Sequence, residues 1–122
     1  MIPAVSVVMA VFNGARFLPE TLASLQAQDM GDFEIVIVDD GSTDDTPRIL
    51  AAFAQGEPRC RILTQTNQGQ VAARNLGARS AKAPLIAWLD ADDIAEPERF
   101  SLQRAHLDAH PNLAAVGSSI RT

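Results

Sequence analysis

Three carboxylates crowd into four positions at Asp90, Asp92 and Asp93, directly after the apolar run Leu85-Ile86-Ala87-Trp88-Leu89. Like charges held this close raise one another's proton affinity. A divalent cation relieves the repulsion, because hard oxygen ligands suit Mg²⁺ or Mn²⁺. Such an ion commonly bridges one or two protein carboxylates to the phosphates of a bound substrate. The same residues also suit an ordinary acidic turn leading into a helix, since Asp and Glu favour both positions.

Three further stretches carry chemistry-bearing side chains. In Ala10-Val11-Phe12-Asn13-Gly14 the small residues and the glycine let backbone groups approach a flat ligand. Phe12 there can flank a base, although an aromatic at a strand end is more often simply core. In Asp39-Asp40-Gly41-Ser42 a carboxylate at a strand tip can accept an N–H from a ligand ring. The competing reading is a strand-to-helix turn with capping acids. In Asn67-Gln68-Gly69 through Ala72-Ala73-Arg74-Asn75-Leu76-Gly77, Arg74 is set to reach a phosphate oxygen or to orient the acids through charge-assisted hydrogen bonds. It equally suits a plain surface helix. Gly77 costs about 1 kcal/mol against Ala inside a helix, which points to close packing on a strand.

These four stretches must be held at one place, and the spacing of apolar residues says how. Val5 to Phe12 and Leu85 to Leu89 are almost wholly apolar runs that read as strands buried on both faces, with Phe33 to Val38 a second strand and Arg61 to Thr64 a shorter third one. Helices are predicted from Phe17 to about Gln28, after a Ser42 or Thr43 cap, from Val71 to Ala81, and from Glu96 to before Pro111. Asp44 and Asp45 sit favourably near the positive end of the second helix. A fifth strand is expected from Leu113 to Gly117, with a strand-like Ser118–Thr122 after it. Strict alternation of strand and helix predicts an α/β domain with a mostly parallel sheet and helices on both faces. In such sheets ligands bind outside the carboxyl ends of the strands, where all four stretches fall. The last strand has no element to cover it, so the sequence reads as a truncated domain. An open edge of that kind also invites pairing of two copies.

Bulk properties narrow the partners. With 122 residues, the chain suits one domain. Its net charge is −5 and its basic residues are scattered, which argues against nucleic acid or an anionic membrane surface as the main partner. A negative protein that handles phosphates then needs a cation, a helix N-terminus or a placed Arg. The single cysteine, Cys60, makes an internal disulfide impossible and reads as a small core residue. A reducing, cytoplasmic location is expected. No apolar run approaches the roughly 20 residues of a membrane helix, which leaves open a membrane association of a longer parent protein. His106 and His110 read as surface positions.

Taken in order, Val5 to Gly14, Ile35 to Asp44, Asn67 through Gly77 and Leu89-Asp90-Ala91-Asp92-Asp93 resemble the family-two inverting glycosyltransferases, nucleotide-sugar-dependent enzymes of the GT-A fold. The resemblance spans nearly the whole chain. It implies that Ala10, Val11, Phe12 and Asn13 lie along the nucleoside and that Asp40 bonds the uracil or equivalent base. It implies further that Asp90, Ala91 and Asp92 form the Asp-x-Asp motif, with Asp92 as the contact to Mg²⁺ or Mn²⁺ and Arg74 flanking the diphosphate. The expected donor is a UDP-sugar or another nucleotide-diphosphate sugar, and the acceptor a saccharide or lipid-linked molecule. Met9-Ala10-Val11 departs from the Pro-Thr type of pair commoner in the family, at a place where backbone makes much of the contact.

The resemblance also implies an absence. In the family, the base that takes the acceptor's proton lies in the second half of the domain, so no catalytic base is assigned among these residues. Two other readings compete. A non-catalytic nucleotide-binding module uses the same stretches without turnover. A sugar-nucleotide nucleotidyltransferase would want a Gly-rich, basic loop after the first strand, for which Asn13-Gly14-Ala15-Arg16 is poor.

Overall fold

Val5, Val7, Val8 and Met9 are wholly buried, as a strand covered on both faces requires. They belong to β1 (Val5–Val11), the inner strand of a sheet in the computed structural model, which describes residues 2–29 and 31–109. The described chain alternates without exception: β1, α1 (Leu18–Gln26), β2 (Phe33–Asp39), α2 (Thr46–Gly56), β3 (Cys60–Thr64), α3 (Gln70–Ser80), β4 (Leu85–Trp88) and α4 (Arg99–Ala109). The strand order is β3-β2-β1-β4, and every pairing is parallel. Register is fixed by Val5 facing Phe33 on one side and Leu85 on the other. The predicted fifth strand at 113–117, and Ser118–Thr122 after it, lie outside the described residues.

Alternation along each strand assigns the two faces. Val5, Val7, Met9 and Val11 of β1 join Phe33, Ile35 and Ile37 of β2 in one core with Leu18, Leu22 and Leu25 of α1, Leu50 of α2 and Phe100 of α4. Burying each such side chain contributes about 1.5–3 kcal/mol. The opposite face holds Val8, Val36 and Val38 under α3, where Gly77 comes so close that a Cβ would sit 2.5 Å from Val8 Cγ1. The glycine is therefore a packing requirement, as its cost in a helix suggested.

This topology has a switch point. From β1 the chain steps outward to β2 and β3, and then returns across the sheet so that β4 pairs with the other side of β1. Crevices at the carboxyl ends of strands flanking such a point are where open α/β sheets take ligands. The loops after β1, β2 and β4 meet there.

Two helix starts differ from expectation. The second helix begins at Thr46 with Asp45 as N-cap, and neither Ser42 nor Thr43 caps it. Those residues are occupied with the first loop instead: Asn13 N–H donates to Ser42 Oγ (2.8 Å), and Thr43 N–H donates to Asn13 Oδ1 (2.7 Å). Asp44 accepts from Thr46 N–H and from Ala15 N–H, the favourable acidic placement expected at that helix end. The fourth helix begins at Arg99 rather than Glu96. Glu96 is held in a turn, its carbonyl accepting from Arg99 N–H and from the Gln28 side chain (2.6 Å).

Candidate functional site

A cleft of about 370 Å³ opens at the carboxyl ends of β1 and β2. Ala10, Val11, Phe12, Asp40, Asn67, Gly69 and Gln70 line it. Its size lies at the lower end of the range for small-ligand pockets, about 300–1,000 Å³. Four residues singled out in the sequence, Ala10, Val11, Phe12 and Asp40, thus share one wall. Phe12 is 50% exposed, so it is not core; its ring presents an apolar face beside polar groups.

Asp40 is almost fully buried, and its carboxylate is surrounded by N–H donors. Gln65 Nε2 (2.8 Å) and Gln68 N–H (2.8 Å) donate to Oδ1, while Gly69 N–H (3.0 Å) and Asn67 Nδ2 (3.2 Å) donate to Oδ2. The Gln65 bond foremost, then the Gln68 and Gly69 N–H groups, hold its pKa below the usual carboxylate range against the opposing pull of burial. The acid therefore organises the whole loop from Gln65 to Gly69. Two glycines permit the arrangement. Gly41 has φ +75° with Asn67 N only 2.8 Å from where a Cβ would stand, and Gly69 has φ +100° as it leads into α3.

Asn13 is placed differently from its neighbours. Its backbone is left-handed (φ 51°), and its carboxamide oxygen accepts from Thr43 and Asp44 N–H. It ties the first loop to the second.

Across β1, the loop after β4 gathers the second group. Asp90, Asp92 and Asp93 each offer a carboxylate oxygen, all within 4.8 Å of one another. Asp93 is buried and its N–H donates to Asp90 O in a tight turn, whereas Asp92 is exposed. Arg74 Nη2 donates to Asp90 Oδ1 at 2.7 Å, and its guanidinium lies 5.9 Å from the Trp88 ring centre. Three carboxylate oxygens this close fit Mg²⁺ or Mn²⁺, and of the three residues Asp92 is the exposed one. Ala91 contributes its carbonyl inward, accepting from Thr21 Oγ1 at 2.7 Å.

That last bond belongs to a set that sequence reading passed over. Thr21, Ser24 and Gln28 of the first helix and its C-terminal extension bond the 91–100 segment: Ala95 N–H donates to Ser24 Oγ (3.0 Å), and Phe100 N–H to Gln28 Oε1 (3.2 Å). Their spacing of three and four puts them on one helix face, but polar residues on a helix ordinarily read as its wet side. Gln65 and Gln70 were also passed over, having no motif to mark them.

Cys60 is half-buried against the core, and burial, assisted by Glu57, pushes its thiol pKa up to about 12. It is no nucleophile. The side chain of His106, and the whole of His110, lie outside the described residues. No helix among the described residues is long and apolar enough to cross a membrane.

Comparison with known proteins gives the family and the fold. The family model described as Glycosyl transferase family 2 matches residues 6–122. The putative glycosyltransferase EpsH of Bacillus subtilis is 42% identical over 96 residues, which is 79% of this chain and 28% of that protein. The crystal structure of S. aureus TarS 1-349 in complex with UDP-GlcNAc superposes with a TM-score of 0.83 at 29% identity, covering 88% of this chain and 32% of that 1-349 chain. The mannosyltransferase PcManGT from Pyrobaculum calidifontis, in complex with GDP-Man and Mn²⁺, gives 0.74 at 30% identity over 87% of this chain and 32% of its own. The chain thus spans about a third or less of the length of these proteins.

Proposed function

The chain belongs to glycosyl transferase family 2, and from that premise we propose that it binds the nucleotide-diphosphate sugar of a metal-dependent, inverting glycosyl transfer. The observation that carries this reading is the placement of a nucleoside-sized cleft and a three-carboxylate cluster on either side of β1, at one edge of one sheet. UDP-GlcNAc in TarS and GDP-Man with Mn²⁺ in PcManGT support the same ligand class.

In this reading the base lies against Phe12, with a ring N–H directed at Asp40, and the diphosphate extends toward Asp92 and Arg74. Asp92, with Asp90 and Asp93, would hold a divalent ion, whose charge would neutralise the departing diphosphate. Arg74 orients Asp90 and adds a second positive charge nearby. The transfer is one in-line displacement: the acceptor oxygen bonds the anomeric carbon as the bond to the diphosphate oxygen breaks, and the acceptor's proton passes to a base. The acids at 90–93 serve the leaving group, and that base is assigned to none of them. The acceptor is a saccharide or a lipid-linked molecule.

Titration calorimetry of the protein with UDP tests the reading. UDP binding that requires Mn²⁺ or Mg²⁺ is the expected result. Absence of binding by both UDP and GDP with Mn²⁺ present overturns it. Binding equally strong after chelation removes the metal from the site.

A further inference from the structure

We propose that Gln65 is a positioning residue for the nucleoside site, its carboxamide fixing the Asp40 carboxylate in the orientation from which that acid meets the base. The proposal rests on the donor-binding reading above. Gln65 directly follows β3 (Cys60–Thr64), where its N–H donates to Asp39 O at 3.0 Å and carries the β2–β3 ladder one residue further. Its backbone is thereby anchored to the residue before Asp40, and its side chain reaches across to Asp40 Oδ1 at 2.8 Å.

An ionised carboxylate has about four acceptor sites. All four on Asp40 are engaged, two by the backbone N–H groups of Gln68 and Gly69 and two by the side chains of Gln65 and Asn67. A base N–H must therefore share an oxygen or displace a donor, and only the side-chain donors are free to rotate. Asn67 lines the cleft, so a ligand meets it directly. Gln65 is absent from that wall and acts only through Asp40. Its bond is also the foremost influence keeping the carboxyl ionised against burial. The groups bonded to this carboxylate are all amides, from the Gln65–Gly69 loop, and the neighbouring acid along the chain, Asp39, is turned to Ser42 N–H (3.0 Å).

Calorimetry with UDP and Mn²⁺ on wild type, Gln65→Leu and Gln65→Glu tests this. Gln65→Leu is expected to weaken UDP binding by about tenfold, the size of one charge-assisted hydrogen bond, with a melting temperature lower by several degrees because a buried carboxylate loses a donor. Gln65→Glu sets two carboxyls against each other, so the pair takes up a shared proton on acidification. The introduced carboxyl then donates as the amide did, and UDP affinity relative to wild type at the same pH should recover as pH falls from about 7.5 to about 5.5. Equal UDP affinity in wild type and a folded Gln65→Leu protein overturns the proposal. Should Gln65→Leu fail to fold, a pH-independent ratio for Gln65→Glu overturns it in its place. Failure of wild type to bind either UDP or GDP with Mn²⁺ instead overturns the donor-binding reading itself; if it binds GDP alone, the same comparison of variants is made with GDP.

Discussion

Arg74 Nη2 lies 2.7 Å from Asp90 Oδ1, joining the second turn of α3 to the acidic loop after β4. Both side chains are more than a third exposed, so the pair itself stabilises the fold by no more than about 1 kcal/mol. Its importance is to the charge at the site. Arg74→Ala should lower the melting temperature by no more than about 5 °C on that account. UDP binding with Mn²⁺ should weaken by about tenfold or more, the worth of a charge-assisted contact. Calorimetry checks it, and unchanged affinity would remove Arg74 from the donor site.

Asp92 is exposed, so its substitution touches no packing. Asp92→Asn should change stability by less than about 0.5 kcal/mol. Mn²⁺-dependent UDP binding should vanish, leaving at most weak, metal-independent binding. Retention of full Mn²⁺ dependence in this variant would refute the ligand role given to Asp92.

Gly77 sets two effects against each other. Alanine gains about 1 kcal/mol of helix propensity. Its Cβ, however, would stand 2.5 Å from Val8 Cγ1 and 3.3 Å from Val38 Cγ2, on two strands of a packed sheet. Overpacking of this kind costs about 1–3 kcal/mol, and with side chains from two strands in the way the upper part of that range applies. Gly77→Ala should therefore lower the urea midpoint, and a raised midpoint would show that α3 can lift off the sheet at little cost.

Glu34 gives the protein an acid-sensitive element far from the site. Burial alone would raise its pKa, but donation from Ser6 Oγ, Lys82 N–H and Arg61 more than offsets this and leaves it lowered. A carboxyl with a folded pKa below its unfolded one stabilises the protein above the unfolded value, and that contribution fades as pH falls through the folded value. Stability should thus decline below about pH 4.5, and Glu34→Gln should flatten that part of the decline while costing about 1–3 kcal/mol at neutral pH. Denaturant melts across the acid range measure it; parallel curves for the two proteins would count against the assignment.

The strands were legible because Val5–Val11 and Phe33–Asp39 are apolar at nearly every position, which only a sheet covered on both faces explains. The acidic tip at Asp90–Asp93 and the packing glycine at Gly77 were legible for similar reasons, each being costly anywhere else. What stayed hidden were contacts made by amides and hydroxyls. Thr21, Ser24, Gln28 and Gln65 bond partners 25 to 72 residues away, and no periodicity encodes a partner that distant. The start of α2 was misplaced for the same reason, since Ser42 and Thr43 answer to Asn13 rather than to their own helix.

Both ends of α3 are gripped by acids that begin and follow the same strand. At its start Gly69 N–H is bound by Asp40, and at its end Ser80 O accepts from Arg61, which Glu34 holds, while Lys82 N–H donates to Glu34 directly. A rod tied at two points to one rail has its position along that rail fixed by those bonds. Arg74, mounted partway along it, is consequently a gauge block: the span between Asp40 and the acidic tip is set by backbone geometry.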